Sequence, residues 1–213
     1  MPGQVRHDVD GATSCGPPFT ASRSRSMTSP DLPWRPEFLD ALRILARASE
    51  AMAERGLPRP VLVGGGAVEF YTGSAVMTGD LDLTTPAQLE LEEELQKLGF
   101  VRPSGAGQST RGWVHPHLGF GFEVVGDRPM GDTPDEVRTL VLRPFDDEGG
   151  FRILSVEDMI ADRMGQYASG TARSLLQQAR LLYDLAGPLD QDYLDRRVRT
   201  ESMGDYGVED LGG

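Results

Sequence analysis

The sequence has little of several residue types, and each shortage excludes a class of protein. One of its 213 residues is cysteine, Cys15, so the chain can form neither an intramolecular disulfide nor a zinc site built on several cysteines. It contains no run of about 18 apolar residues, the length that a membrane-spanning helix needs. The N-terminal residues also lack the apolar core of a signal peptide. We therefore expect a cytoplasmic protein without a membrane partner.

Positive charge is also scarce. Lysine and arginine number 21 against 33 aspartates and glutamates, which gives a formal net charge of −12, and Lys97 is the only lysine. This balance argues against an extended surface for duplex nucleic acid, which depends on many cationic contacts to phosphates. A local basic cleft remains open, because arginine supplies nearly all the positive charge and binds phosphates in a bidentate manner.

The composition changes along the chain and divides it into four predicted regions. Residues 1–33 are rich in glycine, serine and proline without apolar periodicity, which predicts a disordered tail. Residues 34–154 alternate helical and strand patterns, as an α/β domain does. Residues 155–200 show the periodicity of two or three helices. The acidic, glycine-rich residues 201–213 predict a flexible tail.

One of the predicted helices follows Pro86 and is strongly acidic. Its leucines fall near helical spacing and predict a buried stripe, while its glutamates predict a solvated face. Gly99 is the residue type that ends such a helix. The leucines of the predicted stripe are Leu89, Leu91, Leu95 and Leu98.

The segment Val61–Tyr71 combines three local signals. Val61 to Val63 read as a short buried strand, three glycines follow as a corner, and a helix is predicted to begin near Ala67. Such a strand-to-helix turn leaves the first backbone N–H groups of the helix free to bind a phosphate. Glycine allows a positive φ and lets a ligand approach closely. The corner residues Gly64, Gly65 and Gly66 are therefore candidate phosphate-binding residues.

A second predicted strand, residues 80–83, carries two aspartates in alternation with two leucines. Since successive side chains of a strand point to opposite faces, Asp80 and Asp82 share one face, while Leu81 and Leu83 share the other. The leucines are expected in the core. Two neighbouring carboxylates need a cation to offset their repulsion. Mg²⁺ is the natural choice, because it is bound by one or two carboxylates together with substrate phosphates.

Glu123 adds a third carboxylate on a later strand, predicted near residues 119–125. Three acids on adjacent strands could hold two metal ions, one lowering the pKa of an attacking hydroxyl and the other stabilising a leaving pyrophosphate. An exposed glutamate on a strand face is also common without any function. Both interpretations of Glu123 stay open at the level of sequence.

This combination of motifs resembles a known family. A glycine pair, a helix, Asp-x-Asp on a strand and a lone acid on a later strand are similar to the DNA polymerase beta-like nucleotidyltransferase superfamily. Within it, Val63–Val68 with Thr78–Leu83 is most similar to bacterial minimal nucleotidyltransferases and to abortive-infection type toxins. Leu154–Met164 resembles the helix that follows their catalytic sheet. The resemblance covers about residues 60 to 187.

The resemblance implies a fold, a reaction and a set of site residues. The fold is α/β (α+β), with a mixed twisted sheet flanked by helices and a C-terminal helical segment. The reaction moves a nucleoside monophosphate from an NTP such as ATP, with two Mg²⁺ ions, to an acceptor hydroxyl. Thr78 is expected to position the aspartate pair, and Arg163 stands where many relatives have a lysine that contacts the triphosphate. The expected metal ligands and catalytic residues are Asp80, Asp82 and Glu123, and the expected phosphate contacts are Gly64, Gly65 and Gly66.

The sequence departs from the pattern of these relatives in two places. They often carry a basic residue just before the threonine, where this chain has Val76 and Met77. They often carry an aspartate in the last helix, where this chain has Gln177 and Gln178. A second hypothesis is therefore a catalytically degenerate module that binds a nucleotide or a protein, such as one half of a toxin–antitoxin pair with a small helical partner. For an active enzyme, the acceptor is a protein, a tRNA or a small molecule.

Overall fold

The fold was analysed in a computed structural model, which describes residues 33–103, 112–130, 137–145 and 147–212. The N-terminal tail predicted for residues 1–33 lies outside these ranges apart from Pro33. Within them, a mixed six-stranded sheet lies between helices, which confirms the predicted α/β class.

The sheet places the strand of the two aspartates near its centre. The strand order is β3-β4-β2-β1-β6-β5. Strand β2 runs antiparallel to β1 on one side and parallel to β4 on the other. The strands are β1 (Val61–Val63), β2 (Asp80–Thr84), β3 (Trp113–Val114), β4 (Gly121–Gly126), β5 (Thr139–Leu142) and β6 (Phe151–Leu154).

Six helices flank the sheet in the described ranges, and none of them is long and apolar enough to span a bilayer. The last three follow β6, close to the positions predicted from the sequence, and the second and third of them both pack on the first. Ser155 caps the first of them by accepting a hydrogen bond from the backbone N–H of Asp158. The helices are α1 (Pro36–Glu54), α2 (Gly64–Tyr71), α3 (Gln88–Lys97), α4 (Val156–Ala168), α5 (Ser174–Leu185) and α6 (Gln191–Glu201).

The alternation along β2 is as predicted. Leu81 and Leu83 are fully buried in the main core, whereas Asp80 is exposed and Asp82 half-buried on the opposite face. Because the two leucines fix one face of the strand in the core, the two aspartates are held at a fixed spacing on the other face.

Helix α3 corrects the predicted leucine stripe. Leu91 and Leu95 are buried as expected, but Leu89 is 73% exposed. The pair at positions 91 and 95 is one helical turn apart and faces α1. Leu89 precedes that stripe by two residues, about 200° around the helix, and therefore points away from it.

The same helix also corrects the prediction that its glutamates form a solvated face. Glu92 and Glu94 are only 7% and 6% exposed. Arg102 donates to Glu92 at 2.6 Å, and Arg55 donates to Glu94 from the end of α1. Their burial follows from these long arginine side chains, which reach over the helix and neutralise the carboxylates.

The C-terminal residues 201–212 are packed, whereas the sequence suggested a loose tail. A 3₁₀ turn at Val208–Asp210 is followed by Leu211, which is fully buried in the core. Arg180 of α5 donates two hydrogen bonds to the carbonyl of Asp210, at 3.2 and 3.0 Å. One buried leucine and one arginine therefore order a segment whose composition is typical of a flexible tail.

We expect Leu211→Ala to lower the free energy of unfolding by about 2–5 kcal/mol, the usual cost of removing a buried leucine side chain. Met203→Ala is the matched control, because Met203 lies in the same segment and is exposed. Urea denaturation followed by circular dichroism measures both. Equal stability of the two variants would show that the C-terminal residues do not pack as described.

Candidate active site

The glycine corner forms the first turn of α2, which begins directly at Gly64 rather than near Ala67 as predicted. The reason is the backbone of Gly64, whose φ of +61° lets the chain pass from strand to helix without a connecting loop. A Cβ atom added at Gly64 would lie 2.8 Å from the carboxyl carbon of Asp82. Glycine at this position therefore allows the helix N-terminus to lie against the aspartate strand.

The other two glycines pack against different neighbours. A Cβ at Gly65 would lie 2.9 Å from the hydroxyl oxygen of Thr78. A Cβ at Gly66 would lie 2.8 Å from a methyl group of Leu81 and 2.9 Å from one of Leu62. Gly65 thus borders the candidate site, while Gly66 allows α2 to pack closely on the core.

The three candidate acids lie on neighbouring strands. Asp82 is directly opposite Glu123 in the register between β2 and β4, and Asp80 is opposite Gly121. Burial raises the pKa of Asp82, and the charges of Asp80 and Glu123 raise it further. A backbone hydrogen bond from Gly65 and the charge of Arg163 act in the opposite direction. Such a carboxylate gains from a bound cation, so the donor set fits a hard divalent ion.

The acids nevertheless face two different cavities. Asp82 lines a cavity of about 410 Å³, whereas Asp80 and Glu123 line one of about 210 Å³. Within the ranges that the structure describes, no group of three or more His, Cys, Asp or Glu side chains is arranged as a metal site. The joint binding of metal by all three acids stays a prediction.

Helix α4 forms one wall of the larger cavity and contributes Arg163. The side chain is almost entirely buried, the residue being 6% exposed. Its Nη1 donates to Gln166 at 3.4 Å, and its Nε lies 3.6 Å from a carboxylate oxygen of Asp162, beyond hydrogen-bond length. Neither Nε nor Nη2 has a hydrogen-bond partner. A buried guanidinium with unpaired donors in a cavity is suited to bind an anion.

Thr78 lies beside the aspartate pair, where the resemblance places it. Its hydroxyl donates to a carboxylate oxygen of Asp80 at 3.0 Å. Its backbone N–H donates to Glu69 at 2.6 Å. Thr78 therefore connects an exposed candidate ligand to a buried carboxylate.

That carboxylate, Glu69 of α2, is fully buried, and the sequence reading did not identify it. Besides the N–H of Thr78, it accepts hydrogen bonds from Ser74 at 2.9 Å and from Arg35 at 2.7 and 3.2 Å. Arg35 also donates to the carbonyl oxygen of Thr78 at 2.5 Å. A glutamate between Val68 and Phe70 in an apolar helix was a usable signal, because a buried glutamate requires a partner.

Arg35 places a guanidinium next to Thr78, a contact that the local sequence does not reveal. Val76 and Met77 directly precede the threonine, and they offer no charge. The guanidinium of Arg35 instead reaches Thr78 from the residue that precedes α1, 43 positions earlier in the chain. A contact over this separation cannot be read from local sequence pattern.

Comparisons with known proteins bear on the fold. No protein-family model and no curated protein matches the sequence. The crystal structure of an antigenic nucleotidyltransferase-like protein from Paracoccidioides brasiliensis is similar, with a TM-score of 0.53 and 15% identity over 79% of this chain and 88% of that chain. The fold is nucleotidyltransferase-like. The solution structure of the antibiotic-resistance factor ANT(2'')-Ia gives a TM-score of 0.46 at 16% identity, over 76% of this chain and 91% of that chain.

We expect Glu69→Gln to destabilise the protein by about 3 kcal/mol, because the change leaves the charge of Arg35 without its buried partner. Glu54→Gln is the matched control, since Glu54 is an exposed glutamate at the end of α1. Thermal and urea unfolding of both variants give the comparison. A Glu69→Gln protein as stable as the control would contradict the role of Glu69 as the link between α1 and Thr78.

Gly64→Ala tests the contact between the glycine corner and Asp82. Gly56→Ala is its control, because Gly56 also has a positive φ, of +75°, but its Cβ would meet nothing within 4 Å. The control should lose about 1 kcal/mol from backbone strain alone. Gly64→Ala should lose more, because Asp82 must also move. Equal losses in urea unfolding would show that Gly64 and Asp82 are not in close contact.

Proposed function

We propose that this protein is a nucleotidyltransferase that transfers a nucleoside monophosphate from an NTP to an acceptor hydroxyl and releases pyrophosphate. The observation that carries the proposal is the larger cavity. Asp82 and Arg163 both line this space of about 410 Å³, and Nε and Nη2 of Arg163 have no hydrogen-bond partner. This volume is in the range of small-molecule sites, about 300–1,000 Å³. An NTP needs both charges, one to hold its metal ion and one to bind its phosphates.

The residues around the cavity have separate roles in this proposal. Arg163 donates its free N–H groups to triphosphate oxygens. The start of α2 at Gly64 presents the positive end of the helix dipole to the same phosphates, while the backbone N–H of Gly65 donates to Asp82. Thr78 fixes the carboxylate of Asp80 through its hydroxyl, and Glu69 fixes Thr78 in turn. Together they orient the nucleotide before transfer.

Asp80 and Asp82, with Glu123, would hold the metal. When bound there, Mg²⁺ would supply charge neutralisation for the phosphates and the leaving pyrophosphate. Glu123 lines the smaller cavity together with Asp80. An acceptor in that cavity would lose its hydroxyl proton to Glu123 as its oxygen bonds to the α-phosphorus. The bond from this phosphorus to the pyrophosphate oxygen breaks in the same displacement.

The class of acceptor and the subfamily are finer parts of the proposal. The motifs at Val63–Val68 and Thr78–Leu83 favour the bacterial minimal and abortive-infection type nucleotidyltransferases, with a protein, a tRNA or a small molecule as the acceptor. One observation favours the second candidate, a nucleotide-binding module without catalysis that binds a protein partner. The three carboxylates face two cavities, and in the described ranges they do not form one metal cluster.

Calorimetric titration with each of the four NTPs, with and without Mg²⁺, tests the proposal. The Asp80→Asn, Asp82→Asn double variant is compared with wild type and with Asp205→Asn, which alters an exposed aspartate outside the site. We expect Mg²⁺-dependent binding in wild type and in the control, and at least tenfold weaker binding in the double variant. The thermal stability of the double variant should be unchanged or slightly higher, because carboxylate repulsion is relieved.

Three other outcomes separate the candidates. Absence of NTP binding by wild type, with or without Mg²⁺, would overturn the proposal. Unfolding of the double variant would contradict the assignment of the two aspartates to a site. Mg²⁺-dependent binding without transfer of label from an α-phosphate-labelled NTP to any protein, RNA or small-molecule fraction would favour the second candidate.

A further inference from the structure

Thr84, the last residue of β2, carries a second buried polar group without a partner in the larger cavity. The residue is 4% exposed, and its hydroxyl oxygen makes no hydrogen bond. Threonine hydroxyls in a protein interior normally find a donor or acceptor, since an unpaired one costs about 1–3 kcal/mol. Nothing in the sequence reading pointed to this residue.

The position of Thr84 follows from the register of the sheet. It lies two residues after Asp82, so its side chain is on the same face as the aspartates. Asp80 is exposed, Asp82 is half-buried and Thr84 is buried. Asp82 and Thr84 both line the larger cavity, and we call its end at the more deeply buried Thr84 the floor.

Thr84 shares the larger cavity with another residue that has unpaired polar atoms. The residues that line the cavity from β1, β4 and β6 are apolar: Val63, Val125 and Leu154. Arg163 lines the same cavity from α4, and its Nε and Nη2 also have no hydrogen-bond partner. A hydroxyl and a guanidinium that can both donate are thus unsatisfied by the protein in residues that line one cavity. The chemical group that satisfies both is an oxygen that accepts hydrogen bonds.

We propose that Thr84 and Arg163 form a donor subsite at the floor of the larger cavity, which binds acceptor oxygens of the nucleotide. This inference rests on the proposed function, because it takes the nucleotide as the occupant of the cavity. The oxygens belong either to the triphosphate or to the nucleoside, as a carbonyl of the base or a hydroxyl of the ribose. Thr84 is then a nucleotide-binding residue additional to the glycine corner and the aspartates.

Thr84→Val removes the hydroxyl while it preserves the shape of the side chain. Because an unpaired buried hydroxyl is replaced by a methyl group, the variant without ligand should have an equal or higher melting temperature. Its affinity for Mg²⁺–NTP should fall about five- to tenfold, the effect of one lost hydrogen bond. Thr84→Ser keeps the hydroxyl and should retain most of the affinity.

Thr85→Val is the matched control. Thr85 is the adjacent residue and is also buried, but its hydroxyl accepts a hydrogen bond from the backbone N–H of Ala87. Loss of this bond should lower the melting temperature and leave nucleotide affinity within twofold of wild type. The two variants therefore differ in both measurements: Thr84→Val loses affinity without loss of stability, and Thr85→Val loses stability without loss of affinity. A general disturbance of packing cannot produce this pattern.

Calorimetry shows whether the bound oxygen belongs to the triphosphate or to the nucleoside. The two probes are the tightest-binding NTP and inorganic triphosphate, both with Mg²⁺. Weaker binding of both probes by Thr84→Val supports a contact to the triphosphate. Weaker binding of the NTP alone supports a contact to the nucleoside. Wild-type affinity of Thr84→Val for both probes would overturn the subsite while the proposed function stands. A lower melting temperature of Thr84→Val would also overturn it. Failure of wild type to bind either probe would overturn the proposed function and the subsite together.

Discussion

The buried carboxylate of Glu69 is the constraint on which the arrangement of the site depends. It joins the segment before α1, the helix α2 and the turn that leads into β2, through Arg35, Ser74 and Thr78. A charge buried this deeply is tolerated because every hydrogen bond that it accepts comes from a donor held in place by the fold. The hydrogen bond to Glu69 holds Thr78 in place, and the hydroxyl of Thr78 in turn holds the carboxylate of Asp80.

The larger cavity differs from the Glu69 network, because several polar groups of the residues that line it have no hydrogen-bond partner in the protein. Asp82 is half-buried next to other carboxylates, and Arg163 and Thr84 have donors without partners. Unpaired polar groups are costly in a protein interior, and they are concentrated at functional sites for that reason. The contrast between a satisfied network around Glu69 and unsatisfied polar groups around Arg163 separates the residues that support the site from those that we propose bind its ligand.

The features that sequence predicted correctly depend on local periodicity. The alternation of Asp80 and Asp82 with buried leucines and the strand-to-helix turn at the glycines each involve residues a few positions apart. The α/β class followed from the order of these elements. Such features are fixed by backbone geometry, so they can be read before any tertiary contact is known.

The features that sequence missed depend on contacts between distant residues. Arg35 meets Thr78 across 43 positions, and the burial of Glu94 depends on Arg55 from another helix. The order of the C-terminal residues comes from the packing of Leu211 rather than from composition. Thr84 lies one residue beyond the strand predicted at 80–83, and its lack of a hydrogen-bond partner is a property of its tertiary surroundings. Burial and pairing of polar groups are tertiary quantities, which local patterns do not encode.

The proposed function requires that the cavity between β2 and α4 binds the triphosphate of a nucleotide. The most direct test is a crystal structure of the protein with Mg²⁺ and a non-hydrolysable NTP. We expect phosphate oxygens within hydrogen-bond distance of the Arg163 guanidinium and a metal ion coordinated by Asp82. A nucleotide bound elsewhere on the protein, with Nε and Nη2 of Arg163 still lacking hydrogen-bond partners, would overturn the proposed function.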